Sequence, residues 1–158
     1  MAEVFRGEFH QKVDAKGRVS IPADFRRVLE AGDPKWTPGL RPSFVIMFGE
    51  NDRKYLECFT MTSIADVEAR ILMLPRGTAR RRKLERSVSS LAQKCEVDGE
   101  GRIVLSQRLR EKLGLEEDVL FAATLDTFQI WKTTTYTENL DQPITDDILA
   151  LLDADQVG

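Results

Sequence analysis

The sequence holds one histidine, His10, and two cysteines, Cys58 and Cys95. A single histidine leaves no base for most nucleophilic triads, and no serine or cysteine stands in a recognisable catalytic context. No pair of cysteines or histidines has metal-ligand spacing, so a zinc site is not expected. The two cysteines are far apart, in apolar surroundings, and read as reduced, buried small hydrophobes rather than a disulfide. The glycines form no phosphate-binding signature. Long apolar runs are missing too: "FVIMF" (Phe44 to Phe48) and "VLFAA" (Val119 to Ala123) are strand-sized, far short of the roughly 20 residues of a membrane helix. Glu3, Arg6 and Glu8 interrupt the first ten residues, which therefore lack the apolar core of a signal peptide. These absences predict a cytoplasmic protein with no catalytic site, cofactor, metal or membrane segment.

What is present is unevenly charged. The net charge of −3 conceals eighteen Lys/Arg against twelve Asp/Glu in residues 1–95, and five against fourteen in residues 96–158. Such an asymmetry suggests that one part faces a polyanion. The densest positive segment is "RGTARRRKLER", Arg76 to Arg86, where helical spacing groups Arg76, Arg80 and Lys83, and beside them Arg82 and Arg86. A solvated helix surface is the plain reading of such a run; phosphate contact or a subunit interface is the alternative.

Hydropathy and turn chemistry give the element order. "EFHQKVD" reads as a strand, "DAKG" as a tight turn, "RVSI" as a second strand, and Pro22 starts a helix that ends at Gly32. After a proline-rich loop, Gly32 to Pro42, "SFVIMF" and "KYLECFT" are strands around "GEND". Helices follow from a cap at Thr62 or Ser63 to Leu74, and from Thr78 to about Gln93. Then the first pattern returns: strand "KCEVD", a turn, strand "RIVL", a helix between Ser106 and Gly114, and strands "DVLFAAT" and "TFQIW" around "LD". A short helix, "TTYTENL", and an amphipathic segment, "ITDDILALLD", complete the order.

The return is a duplication. At an offset of 84 residues the pairs Val13/Val97, Asp14/Asp98, Gly17/Gly101, Arg18/Arg102, Arg26/Arg110 and Leu29/Leu113 are identical, and "LECF" (Leu56 to Phe59) matches "FQIW" (Phe128 to Trp131). Two copies are too few for a solenoid. Two modules that each expose an apolar sheet face are expected to pack on each other as one pseudo-symmetric barrel.

Each copy contains the turn D-x-x-G-R. The carboxylates of Asp14 and Asp98 can accept the turn's own N–H groups, and Gly17 and Gly101 supply a positive φ. Two readings of Arg18 and Arg102 stand open: a salt bridge that staples the turn, or a guanidinium presented to phosphate or guanine, which arginine's planar fork suits. Lys12 and Lys16 flank the first arginine; Glu96 and Glu100 take their places around the second, so Arg102 is the weaker candidate.

"FRGEFHQKVDAKGRVSIPADFR", "LAQKCEVDGEGRIVLSQRLREKLGL" and "FQIW" together resemble the MraZ family, bacterial transcription factors with two AbrB-like (SpoVT/AbrB) modules in one chain. The resemblance runs from about Val4 to Trp131. It implies an α+β fold with a mainly β core, a duplicated swapped-hairpin barrel with short helices and a helical linker. On that pattern residues 1–61 form the first module, 62–93 the helical connector, 94–141 the second module and 142–158 an acidic helix or tail. It further implies a ring of identical subunits, associated with the nucleoid, binding direct repeats in the promoter of the division and cell-wall operon and repressing it. The family's DNA-contact arginine falls on Arg18, with Arg102 as its second-module counterpart, and the motif aspartates on Asp14 and Asp98. Lys12, Lys16, Arg26 and Arg27 are the expected phosphate contacts. The rival expectation is a protein-binding module of the antitoxin kind, without promoter specificity of its own.

Overall fold

The computed structural model describes residues 3–140. The segment Ile144 to Asp153, expected to be an amphipathic helix, and the acidic tail lie outside the described residues. The first repeat comprises β1 (Glu8–Lys12), β2 (Arg18–Ser20), α1 (Ala23–Ala31), β3 (Ser43–Met47) and β4 (Tyr55–Thr60). The connector holds α2 (Met61–Leu72), α3 (Ala79–Glu85) and a π-helical turn, Arg86–Ser90. The second repeat comprises β5 (Ala92–Glu96), β6 (Arg102–Val104), α4 (Gln107–Leu113), β7 (Asp118–Thr124) and β8 (Thr127–Lys132), and α5 (Thr133–Glu138) follows it.

Capping chemistry sets several boundaries. The Ser106 hydroxyl accepts the Leu109 N–H at 3.3 Å to start α4, and Gly114 ends it in the left-handed region at φ 65°. α2 begins earlier than its sequence suggests. The Thr60 hydroxyl, not Thr62 or Ser63, is the cap and accepts the Ser63 N–H at 3.0 Å. The second connector helix is shorter than expected, because the chain leaves α3 through the π turn and enters β5 by Ala92. α3 begins only at Ala79, so Arg76 precedes it and shares no helical face with Arg80 and Lys83.

The two D-x-x-G-R hairpins open at once. Beyond the turn β1 does not continue along β2; it pairs antiparallel with β7, and β5 pairs in the same way with β3. The six-stranded sheet has the order β1-β7-β8-β4-β3-β5, and β2 and β6 form a separate two-stranded ribbon. Each repeat thus lends its first strand to the other repeat's β-hairpin. The sheet is open and antiparallel: β1 and β5 are its outer strands and no ladder joins them, so the expected closed barrel is not formed by hydrogen bonding.

Two strand pairings reveal a pseudo-two-fold axis. In the ribbon Val19 faces Ile103, its own counterpart in the repeat. At the centre of the sheet Glu57 of β4 faces Gln129 of β8, again equivalent positions. Between these points lies the core. Phe25 of α1 is fully buried, with its ring centroid 5.1 Å from Phe5, 5.3 Å from Phe9 and 5.0 Å from Phe128. Leu109 and Leu113 of α4 and Leu105 ahead of it fill the equivalent volume of the second repeat. Burying this many large apolar side chains is the main favourable term of folding, and it requires both repeats. Cys58 is buried, Cys95 half-buried, and both are free thiols. Burial raises both thiol pKa values, so neither is activated as a nucleophile.

Candidate nucleic-acid interface

The two turns are built alike. Asp14 Oδ1 accepts the N–H groups of Lys16 and Arg18 at 3.0 and 2.9 Å, and the Gly17 N–H donates to the Asp14 carbonyl at 2.9 Å. Asp98 Oδ1 accepts from Glu100 and Arg102 at 2.8 and 3.0 Å, with Gly101 donating to the Asp98 carbonyl at 3.0 Å. These N–H donors, that of the arginine first, hold both carboxyls below the usual carboxylate range, with the arginine side chains adding to the effect. Gly17 and Gly101 sit at φ +85° and +78°, which a residue with a Cβ adopts only at a cost.

The ribbon between the turns carries both arginines on one face. Val19 and Ile103 point into the core, so alternation sends Arg18, Ser20, Arg102 and Val104 to the opposite side. Arg18 stands across from Val104, and Arg102 across from Ser20. The ribbon is tied to the turns symmetrically: the Ile21 N–H donates to the Gly101 carbonyl at 2.9 Å, and the Leu105 N–H to the Gly17 carbonyl at 2.7 Å.

The arginines themselves differ. Arg18 Nε donates to Asp14 Oδ2 at 2.7 Å, which leaves both terminal nitrogens of the guanidinium for another partner. Arg102 lies between two carboxylates, with Nε 3.5 Å from Asp98 Oδ2 and its terminal nitrogen 3.2 Å from Glu100 Oε2. Its side chain is 27% exposed against 36% for Arg18. The staple read from the sequence is thus a hydrogen-bonded salt bridge in the first turn and, in the second, a looser ion pair shared between two carboxylates, with the buried Arg102 Nε lacking a hydrogen-bond partner among the described residues.

The other basic candidates are placed as follows. Lys16 is exposed at the tip of the first turn, with no carboxylate in salt-bridge range among the described residues. Lys12 is exposed and paired with Asp118 across the β1–β7 ladder at 2.5 Å. Arg27 is exposed on α1 and paired with Asp24. Arg26 crosses to the other repeat and packs under Gly101, where an added methyl group would lie 2.0 Å from its Nη1. Its counterpart Arg110 does the same under Gly17, with Nε donating to the Leu105 carbonyl at 3.0 Å. Each helix thus braces the opposite repeat's turn.

The basic run is also partly structural. Arg81 is 4% exposed; it donates to the Leu74 and Leu72 carbonyls at 2.8 and 3.4 Å and to Glu85 at 3.1 Å, closing the C-terminal end of α2. Arg86 pairs with Glu50 at 2.9 Å. Arg76, Arg80, Arg82 and Lys83 are exposed. No group of three His, Cys, Asp or Glu side chains among the described residues is placed to hold a metal ion. No helix among them is long and apolar enough to cross a membrane.

Sequence reasoning singled out the turns and their arginines but passed over Ser20, Val104 and Arg110. Ser20 and Val104 were legible as the outward partners of Val19 and Ile103 by alternation. The contact of Arg110 with the other repeat had no sequence signal beyond its identity with Arg26.

The class these features define is a tandem protein of two strand-exchanging modules, with a braced two-stranded arginine ribbon on its pseudo-two-fold axis. Comparison with known proteins makes the assignment specific. A family model described as "MraZ protein, putative antitoxin-like" matches residues 4–73 and 90–149. Proteins named transcriptional regulator MraZ are similar along most of their length. The one from Cereibacter sphaeroides is 57% identical over 147 residues, covering 89% of this chain and 86% of its own. That of a Ruegeria species is 54% identical over 138 residues, covering 87% and 83%. A more distant one, from Shewanella frigidimarina, is 30% identical over 141 residues, covering 87% and 86%. The chain belongs to the MraZ family.

Proposed function

We propose that this protein is a sequence-specific DNA-binding regulator of transcription, with Arg18 as its principal contact. One observation carries the reading: Arg18 sits on the outward face of a two-stranded ribbon with its terminal guanidinium nitrogens uncommitted, beside the exposed Lys16. A two-stranded ribbon fits the major groove, where arginine addresses guanine or a neighbouring phosphate. Lys16 supplies a phosphate contact directly, and Lys12 and Arg27 do so after exchanging their surface carboxylate partners, which exposed pairs do at little cost. Arg26 contributes by bracing the second turn against the first. Arg102, held by two carboxylates, acts mainly in the scaffold.

The resemblance extends the proposal to a ring of identical subunits on direct repeats upstream of the division and cell-wall operon, repressing it from the nucleoid. A single ribbon makes few contacts. Several subunits on successive repeats would raise the effective concentration of each binding event without any new kind of contact. The name of the matched family also mentions antitoxins, which favours a second reading, a module that captures a protein partner.

The deciding measurement is affinity for the DNA upstream of the protein's own gene across a salt series, for wild type, Arg18→Ala and Arg102→Ala. DNA recognition requires log K to fall linearly with log salt by roughly 0.9 per phosphate neutralised, with a shallower slope for Arg18→Ala. Equal affinity and slope in a folded Arg18→Ala protein would reduce Arg18 to a turn staple. A clean monomer by solution mass would remove the ring. A tight stoichiometric small-protein partner, with no selectivity for DNA sequence, would favour the second reading.

A further inference from the structure

The ribbon face bears one apolar side chain. Val104 is 57% exposed, although it lies in a three-residue strand whose central residue, Ile103, is 2% exposed. It stands directly across from Arg18. The equivalent position of the first repeat, across from Arg102, is Ser20. The face therefore has two unlike rows. In one, a guanidinium bound to a single carboxylate lies beside a branched aliphatic group. In the other, a guanidinium between two carboxylates lies beside a hydroxyl.

We propose that Val104 packs against the C5 methyl group of a thymine next to the base pair that Arg18 engages, so that the Arg18–Val104 row reads a guanine–thymine step. This inference rests on the DNA-binding reading above. Its chemistry is that of the groove. Thymine alone projects a methyl group into the major groove, and an aliphatic side chain recognises it by excluding water from both. Cross-strand neighbours stand about 5 Å apart at Cβ, and successive base pairs about 3.4 Å along the axis. Two side chains in one row thus address one base pair and the next. An isolated exposed valine has no need of a role. This one is distinguished by its row, since its neighbour is the more exposed arginine, paired with a single carboxylate, and its repeat counterpart is polar.

The test removes the methyl group from the DNA rather than from the protein. The full-length protein first selects its preferred duplex from a random pool. Each thymine is then replaced in turn by deoxyuridine, which differs only by that methyl. Wild type is expected to lose about fourfold in affinity at one position, the worth of one buried methyl group. Val104→Ser should bind the unmodified duplex about fourfold more weakly and show no further loss with deoxyuridine there. Val104→Ile should retain the sensitivity. Full wild-type affinity at every deoxyuridine position would overturn the proposal. So would a Val104→Ser protein whose solution mass falls, because the valine would then belong to a contact between copies. Failure of the wild-type protein to select any sequence would instead sink the DNA-binding reading itself.

Discussion

Val19 and Ile103, the same position in two copies of one repeat, face each other at the centre of the β2–β6 ribbon. The pairing fixes the site. It puts both copies' arginines on the outward face, ties each turn's glycine carbonyl to the other repeat's strand, and makes the ribbon depend on both halves of the chain. It also places the two arginines at equivalent backbone positions, so their differing side-chain neighbours account for the difference between them.

The glycines of the two turns should not tolerate alanine equally. Both Gly17→Ala and Gly101→Ala force a Cβ into the left-handed region, at about 1–2 kcal/mol. At Gly17 the new methyl would stand 2.3 Å from the Leu105 carbonyl oxygen, part of the ribbon backbone, which cannot move without breaking the ladder. At Gly101 it would meet the end of the flexible Arg26 side chain. Urea unfolding should therefore show a larger loss for Gly17→Ala, and Arg26→Ala should recover part of the loss only in the Gly101→Ala background.

Arg81 should be the costly position of the basic run. Arg81→Ala leaves the Leu72 and Leu74 carbonyls without their charged donor, and a loss of about 2–3 kcal/mol in unfolding free energy is expected. Arg80→Ala and Arg82→Ala, both at exposed sites, should stay within about 0.5 kcal/mol. A loss as large at Arg80 as at Arg81 would show that the run acts through its surface charge.

Acid should open the turns late. Asp14 and Asp98 have carboxyl pKa values lowered in the folded protein, chiefly by the N–H groups of Arg18 and Arg102. A lowered folded value means that their stabilisation is complete above the ordinary aspartate pKa of about 3.9 and is lost as pH falls through the lowered values. Thermal unfolding of wild type should thus decline in the range below about pH 4. The Asp14→Asn/Asp98→Asn protein, which keeps the one oxygen that accepts the turn's N–H groups but loses the second and cannot ionise, should show a shallower decline there. An identical decline in both proteins would assign the acid sensitivity to other carboxylates.

Alkali should act on α5. The Tyr136 hydroxyl donates to Glu8 at 2.5 Å, and this hydrogen bond, before burial and the carboxylate's charge, pushes the phenol up to about 12. A raised folded value means that the contact stabilises fully below the ordinary tyrosine value of about 10 and is lost as pH rises through about 12. Phenolate absorbance should show a step near pH 12 that Tyr136→Phe removes and Glu8→Gln moves down. No movement in Glu8→Gln would leave the link between α5 and β1 without a role in the titration.

Much of this was legible in the residues. The duplication placed Arg18 and Arg102 at equivalent positions directly after the two turns, at the start of the strands "RVSI" and "RIVL". The D-x-x-G spacing predicted carboxylates that accept the turn's own N–H groups, and lysines against glutamates predicted unequal arginines. These are local properties, set by turn geometry and the two-residue period of a strand. The caps were less legible, since Thr60, Thr62 and Ser63 all have the required oxygen and only the path of β4 decides which of them meets the helix.

The sequence by itself determined that there are two like modules, where each turns, and which residues each turn presents. Only the tertiary structure decided with whom the strands pair. A strand's ladder is made of N–H and C=O groups common to every residue, so a short strand such as β1 carries no address for its partner. β1 on β7, β5 on β3 and β2 on β6 form because exchange lets α1 and α4 bury Phe25 and Leu109 in one shared core. The same exchange carries Arg26 under Gly101 and Arg110 under Gly17, contacts between residues 75 and 93 positions apart that no local pattern encodes.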